Sequence, residues 1–500
     1  MSAWFRSTFK RMSQSTSSHT YSKLTTWPSA DQSPSKTGSH GLKTNSPWTP
    51  HAGQHKFASA ILSRKASVNH VTLVIFLEFF AWGLVATILP EYISEFFGPG
   101  QMWVVVGVMQ GLKGFFSFLT APMVGALSDV MGRRVFLLVT VGATCLPLAF
   151  LLVSNLWWHV VASILSGPFA VTFSIVFAYV SDVTDEETRS AAFGQVSATF
   201  AGSMVISPAV GSFIYTVYGR DAVFATSCAV AALDIVYILA VVPESLPADI
   251  MARRVFDWKT VNPFNAMKLL TTTPLMSQLS TVIFFSYLPE AGEYQILMLY
   301  LENTLSMSKA ELSLFIAILG ILSIVAQTFV LGLLADRWTD KSVITFGLFG
   351  SITQLTVFGL LTIHWVLFGN TMFVAIGSMV YPAVSAYVAN NASPDEQGAV
   401  QGLITGVRSL CNGLGPALFG VLFQWANSVS VEERRSGPDL AALPGFPFLV
   451  GAMLVVVALV VNMRIDPNQP MDDRRTGLAE SVTEKGEQRG RASLEPPESD

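Results

Sequence analysis

The residues with the most chemistry to offer are charged groups set inside long apolar runs. Glu78 stands in the middle of VIFLEFFAWGL, with Trp82 four residues on and therefore on the same helical face. A carboxylate among apolar neighbours is costly to keep dry, so it reads first as a functional group. It suits proton binding or a cationic substrate; the structural alternative is a Glu paired with a neighbouring helix. Lys113 lies in the next run, with Gln110 three residues before and Ser117 four after, one polar stripe that lipid would reject. It suits a pairing with Glu78 or an anionic substrate group, or else its stem snorkels toward an interface. Glu290 and Glu293 follow Pro289 and flank Gly292, a combination that predicts a broken helix whose freed backbone groups line a cavity or are buried in protein. The alternative is a helix that ends early and leaves both glutamates in water. Arg408 has Thr405 and Asn412 on its face and suits a counter-charge to Glu290 or to an anionic solute, or a lock between helices. Asp234 is isolated in its run and takes no role on these grounds.

Enzyme chemistry has no comparable signal. The sequence holds no HExxH, no GxSxG and no ATP-binding glycine loop, and its His and Cys residues form no metal-spaced cluster. Cys145, Cys228 and Cys411 lie in apolar runs, as small packing residues do. We therefore expect no catalytic residue, no cofactor and no metal. The net charge of −4 gives no reason to expect a nucleic-acid partner.

The elements that must carry these groups follow from composition. Of the 500 residues, 51% are hydrophobic and only 13% charged, against about 25% charged in soluble domains. Apolar segments of spanning length recur at roughly 70–91, 103–127, 135–153, 157–180, 192–214, 222–242, 276–300, 311–334, 342–362, 365–389, 399–424 and 446–464, about twelve in all. With the N-terminus inside, Arg133, Arg134, Arg189, Arg253, Arg254, Lys259, Lys268, Arg337 and Lys341 fall in cytoplasmic loops. Only Arg220, Lys309, Arg434 and Arg435 fall outside, which obeys the positive-inside rule and makes both termini cytoplasmic.

We divide the chain into a disordered cytoplasmic tail at 1–69, a six-helix bundle at 70–243, a cytoplasmic linker at 244–275, a second six-helix bundle at 276–465 and a disordered cytoplasmic tail at 466–500. The first tail has no acidic residue before Asp31, while Arg6, Lys10 and Arg11 are present. That composition fits a basic cytoplasmic tail, and less well a mitochondrial presequence.

One stretch, APMVGALSDVMGRR at 121–134, ends the second segment in a basic turn. Gly125 suits a close helix contact, Asp129 lies at the membrane boundary, and Arg133 and Arg134 follow in the headgroup layer. It has a counterpart at the end of the eighth segment, Gly332-Leu-Leu-Ala-Asp336-Arg337, at offsets of 332 − 125 = 207 and 336 − 129 = 207. Gly194 and Pro208 in the fifth segment match Gly402 and Pro416 in the eleventh, at 402 − 194 = 208 and 416 − 208 = 208. Six helices per copy give both halves the same orientation, a parallel repeat about an axis normal to the membrane. In the fifth segment Gln195, Thr199, Ser203 and Ser207 form a stripe that suits either the pathway or interhelical hydrogen bonds. Gly202, Gly211 and Gly415, with Pro208 and Pro416, suit packing and bending.

Over roughly residues 70–465 these features resemble the major facilitator superfamily. Gly125 to Arg134 is similar to its signature loop between helices 2 and 3, and Gly194, Gly202, Ser207-Pro208 and Gly211 to its helix-5 antiporter motif, with Ser207 where that pattern prefers Gly. VIFLEFFAWGL at 74–84, FSYLPEAGEY at 285–294 and LCNGLGPALFG at 410–420 resemble the hippocampus-abundant-transcript group, related to tetracycline-resistance exporters. The drug-antiporter pattern has an Arg in helix 4 four residues before a Gly, and here Ser163 precedes Gly167 instead, so the usual proton coupling and the export direction are not inherited. The resemblance implies an all-α membrane protein of two parallel six-helix bundles. It implies a secondary transporter, monomeric, moving a small organic solute by alternating access in the plasma membrane or an endomembrane, with protons as a candidate coupling ion. Glu78, Trp82, Gln110, Lys113, Glu290, Glu293, Arg408 and Asn412 are the candidate pathway residues. Gly125, Asp129, Arg133, Arg134, Gly332, Asp336 and Arg337 are the candidate latch, with Asp129 reaching the start of helix 11 near Gly398. A receptor or chaperone that binds without turnover is the alternative, disfavoured because a static binder has no need of a latch.

Overall fold

In lipid, every backbone N–H and C=O must find a partner within its own segment, which leaves helices as the form open to runs this apolar. The computed structural model describes residues 65–153, 155–246, 274–392, 397–433 and 445–466, and among these the regular structure is helical throughout. The first bundle contains α1 (Val68–Val85), α2 (Pro99–Met131), α3 (Arg133–Ala149), α4 (Trp157–Leu165 and Thr172–Val183), α5 (Glu186–Tyr218) and α6 (Arg220–Ala240). The second contains α7 (Pro274–Leu299), α8 (Lys309–Val325, then Leu331–Ala335), α9 (Asp340–Leu360), α10 (His364–Gly377 and Val380–Asn391), α11 (Gln397–Glu433) and α12 (Phe446–Met463). Among the described residues nine helices are long and apolar enough to cross a membrane, ten when the two parts of α4, bent by 43°, count as one span. The remaining two, α7 and α11, carry Glu290 and Glu293 in one case and Gln397, Gln401 and Arg408 in the other. The described residues belong to a single unit, His55–Asp500. The expectations for the two tails, and for most of the linker, lie outside the described residues.

Two interruptions differ from the sequence reading. The break expected at Pro289 and Gly292 does not occur: α7 runs on as α-helix through both to Leu299. Gly292 is instead a packing position, since a β-carbon there would overlap the Phe419 ring of α11. The break falls in α4, at Gly167-Pro168-Phe169. Its freed carbonyls are satisfied from α2: Thr120 Oγ1 donates to Pro168 O (2.7 Å) and Ser117 Oγ to Ala170 O (3.1 Å). Ser117 thus leaves the polar stripe of Lys113 to hold the break.

The bundles meet along two seams of small residues. In the α2/α11 seam a β-carbon on Gly125 would overlap the Gly398 carbonyl, one on Gly402 the Ala121 carbonyl, and one on Gly114 would lie 2.5 Å from Ser409 O. Lipid supplies no hydrophobic drive between helices, so such backbone approach is what dispersion needs. Two turns farther along the same helix faces the contact ends. A β-carbon on Gly107 or on Gly420 would meet no atom within 4 Å. In the α5/α8 seam Gly194 seats against the Gln327 carbonyl and Gly320 against Val205. The bundles are therefore pressed together at the face that holds Asp129, and α2 and α11 part toward the opposite face.

Candidate functional site

The polar groups of the membrane region fall into three places. The first is the interior of the first bundle. Glu78 is 3% exposed and accepts from two hydroxyls, Thr144 Oγ1 of α3 (2.6 Å) and Thr172 Oγ1 of α4 (3.1 Å). Lys113 interacts with its charge through space but does not close to a contact ion pair. The Lys113 ammonium instead lies 5.0 Å from the centroid of the Trp82 ring, whose other neighbour is the His159 ring at 6.5 Å. A cation over an indole face is worth about 0.5–2 kcal/mol, more when dry. Ser163, which stands where the drug-antiporter pattern has Arg, is buried one turn from His159.

The second place lies between the bundles. The Arg408 guanidinium of α11 is enclosed by three rings from three other helices: Tyr381 of α10 at 4.1 Å, Tyr287 of α7 at 4.6 Å and Phe173 of α4 at 5.0 Å. Phe173 belongs to the first bundle, so the cage is completed only when the two halves come together. Tyr381 is fixed by its own hydroxyl, 3.3 Å from Thr405 Oγ1. Arg408 Nε is buried with no hydrogen-bond partner, a donor left for something else. Glu290, one turn from Tyr287 on α7, is exposed and interacts with Arg408 through space. Gln110 and Asn412 are exposed as well. Glu293 is separate: it is buried inside the second bundle, where Gln354 Nε2 donates to it (2.7 Å).

The third place is the face where the bundles are pressed together. Asp129 accepts from two backbone amides at the start of α11, Gly398 N (2.9 Å) and Ala399 N (3.1 Å). A carboxylate suits that position because helix N-termini carry unsatisfied N–H groups and partial positive charge. Arg133, 0% exposed, pairs with Asp129, donates from Nε to Asp182 (3.0 Å) and from Nη1 to Ser128 Oγ (2.7 Å). Arg134 donates to the Ile238 and Leu239 carbonyls at the end of α6, and Glu244 accepts from the amides of both arginines.

The counterpart in the second half is built from other residues than those matched by type. Asp336 and Arg337 are exposed, and a β-carbon on Gly332 would lie 3.6 Å from Ala191 Cβ, an ordinary contact. The carboxylate that reaches across is Asp340. It accepts from Asn390 Nδ2 (3.0 Å) and, more weakly, from Ser190 Oγ of α5 (3.4 Å), while Arg189 of α5 donates to Asn390 Oδ1 (2.7 Å). Repeat offsets put Asp340 at the position of Arg133 (340 − 133 = 207), Asn390 at that of Asp182 (390 − 182 = 208) and Ser190 at that of Gly398 (398 − 190 = 208). The second network is the first with its central charge inverted. Searching the repeat by position and ignoring residue type would have found it.

The remaining candidates lie in α5 and α11. In α5, Thr199, Ser203 and Ser207 donate to carbonyls of their own helix, and Gln195 Nε2 donates across to Asn69 Oδ1 of α1 (3.4 Å). Gly211 seats against Leu84 of α1, Gly415 against Leu288 of α7, and Gly202 meets Ile324 of α8 at ordinary distance. Pro208 and Pro416 lie inside α5 and α11.

Against known proteins, the family model of the Major Facilitator Superfamily matches residues 71–416, and again 279–494. The chain belongs to the major facilitator superfamily. Hippocampus abundant transcript 1 protein of mouse and of human is 44% identical over 415 residues, covering 80% of this chain and 84% of the relative. A tetracycline resistance protein of class C from Escherichia coli is 27% identical, covering 75% of this chain and 91% of that one. In fold, this superfamily member is similar to the human organic anion transporter MFSD10 (TM-score 0.64, 18% identity, 79% of this chain and 98% of that one). It is also similar to the Escherichia coli fucose:proton symporter (TM-score 0.62, 13% identity, 79% and 97%). It is a multi-pass membrane transporter and not an enzyme, and transporters of this superfamily take small-molecule substrates in a lipid bilayer.

Proposed function

We propose that this superfamily member is a monomeric secondary transporter that moves a small organic solute with an acidic group by alternating access. The carrying observation is Arg408, a cation caged by aromatic rings from both bundles, with a buried Nε–H that has no partner. Lys113 over Trp82 supplies a second cation on the first bundle, and Glu290 is the one carboxylate facing Arg408 from α7. When Glu78 is protonated, two cations stand against one carboxylate, which favours an anionic group, and the rings favour an apolar body beside it. Gln110 and Asn412 flank this space. Glu78 and Glu293, buried within their bundles, stand behind the substrate groups.

The seams supply the alternation. With both termini cytoplasmic, the Asp129 face is the cytoplasmic one, and the conformation is closed there and parted outside. Asp129 and Arg133, aided by Gly125 and Arg134, form one latch and Asp340 with Asn390 and Arg189 the other. Each contact exists only while that face is shut, so each biases the two-state equilibrium. Gly332, Asp336 and Arg337 flank the second latch without bridging it.

The test is a thermal-shift panel of organic acids, organic cations and sugars on the purified full chain, followed by uptake of the hits into proteoliposomes. An organic acid that stabilises the wild type, fails to stabilise Arg408→Ala and is taken up saturably supports the proposal. Saturable binding with no flux would favour a receptor instead, and selective stabilisation by cations would reverse the substrate charge.

A further inference from the structure

An ionisable group in the membrane region stands apart from both the site and the seams. Asp234 of α6 is 0% exposed, and neither of its carboxylate oxygens has a hydrogen-bond partner. A buried carboxylate without hydrogen bonds is costly to keep ionised, and inside a membrane such a group reads first as functional. Its surroundings indicate the function. Ser227 Oγ of α6 donates to the Ala81 carbonyl of α1 (2.7 Å), which sets the register of these two antiparallel helices. From that point Glu78 lies three residues back along α1 and Asp234 seven residues on along α6, both toward the Asp129 face. At a rise of 1.5 Å per residue, Asp234 stands about 6 Å nearer that face than Glu78. The charge of Glu78 is felt at Asp234, and Cys145 of α3 interacts with both. Glu78 also keeps one oxygen, Oε2, buried and without a partner.

The groups facing this pair can be named helix by helix. From α2 comes Lys113, from α3 Thr144 and Cys145, from α4 Thr172, and His159 lies beyond Trp82. The α5 side presents Ser207 against Gly83, with no charge. Among these described groups Lys113 is the cation, and it interacts with Glu78. Two such carboxyls do not both ionise.

We propose that Glu78 and Asp234 form a carboxyl pair that carries the coupling proton within the first bundle. In one state Asp234, which lacks hydroxyl donors, holds the proton while Glu78 stays ionised on the Thr144 and Thr172 hydroxyls; in the other the proton is on Glu78. A proton on Glu78 cancels the charge that holds Lys113 and frees the ammonium for an anionic solute; its loss draws Lys113 back. The inference rests on the reading of Lys113 as a substrate group, but its test needs neither substrate nor flux.

The experiment is infrared difference spectroscopy of the full chain in lipid, with protons alone as the probe. A protonated-carboxyl band at neutral pH is expected in the wild type, lost in Asp234→Asn and restored in Asp234→Glu. Glu78→Gln should keep the band and move its frequency, because the neighbouring anion has gone. Exchange of that proton in D2O should speed up at least about tenfold in Asp129→Asn, where about 1.4 kcal/mol less holds the face shut. A band that survives Asp234→Asn, or that disappears when sodium is added at constant pH, overturns the proton pair. Exchange indifferent to Asp129→Asn reduces Asp234 to a static buried acid and overturns its carrier role. Titration as expected in a protein that shows no uptake would leave the pair standing and fail the transport reading alone.

Discussion

The two inter-bundle networks at the Asp129 face occupy equivalent places in the repeat but are built to different strengths. In the first, a fully buried guanidinium joins two carboxylates and a serine hydroxyl, and one of those carboxylates takes two amides at the start of α11. Every bond is charge-assisted, and the guanidinium at the centre is fully buried. In the second, the centre is a carboxylate, the arginine reaches it only through the Asn390 side-chain amide, and Asp340 and Asn390 are partly exposed. Substituting Asn390 at the position of Asp182 removes a charge, and substituting Asp340 at that of Arg133 inverts one. The two halves of this repeat thus keep the place of the inter-bundle contact while differing in the chemistry that makes it. The difference suggests a division of labour, with the first network setting the closed state and the second trimming it.

The largest expected difference comes from removing the central groups. Arg133→Ala leaves Asp129 and Asp182 without their buried cation and should cost about 3–5 kcal/mol, read as loss of folded protein in detergent. Asp340→Ala should cost only about 0.5–1.5 kcal/mol by the same measurement. Equal losses would erase the distinction. Next come the glycines at matched positions. Gly125→Ala should force α2 away from α11, because its β-carbon overlaps the Gly398 carbonyl, and raise the labelling rate of a cysteine introduced on the Asp129 face. Gly332→Ala, meeting Ala191 at 3.6 Å, should leave that rate unchanged. The smallest effect belongs to the coupling within the second network. A double-mutant cycle on Arg189→Ala and Asn390→Ala should return about 0.5–1.5 kcal/mol in the face-opening equilibrium. A coupling near that of the Asp129–Arg133 pair would mean that the two closures share the load.

Legibility in the sequence followed the range of each interaction. The helices, their count and the stretch at 121–134 were legible because apolar length and four-residue spacing are local properties. Asp129 was placed near Gly398 because the repeat fixed which helix ends share a face. Residue type points to Asp336, whereas the position that reaches across is Asp340, whose charge is opposite to that of its counterpart Arg133. The α7 break was misplaced because proline and glycine mark a place where a helix can yield, and packing against Phe419 uses the glycine instead. The break in α4 had its own signal in Gly167-Pro168, but the hydroxyls that make it tolerable come from α2.

Taken alone, then, the order of residues determined that this chain crosses a membrane many times, in two parallel halves, with a conserved-by-place closure at one face. Those conclusions need only periodicity, burial cost and duplication. The tertiary structure alone decided what surrounds each buried charge. Arg408 was readable as a cation on a polar stripe, but Phe173, Tyr287 and Tyr381 come from three other helices. Asp234 looked solitary because its counterpart, Glu78, lies on α1, more than a hundred and fifty residues away along the chain (234 − 78 = 156). A charge in a low-dielectric interior is governed by whatever lies within a few ångströms of it. Helix periodicity reports only neighbours on the same helix, so the partners of these groups appear only when the helices are packed.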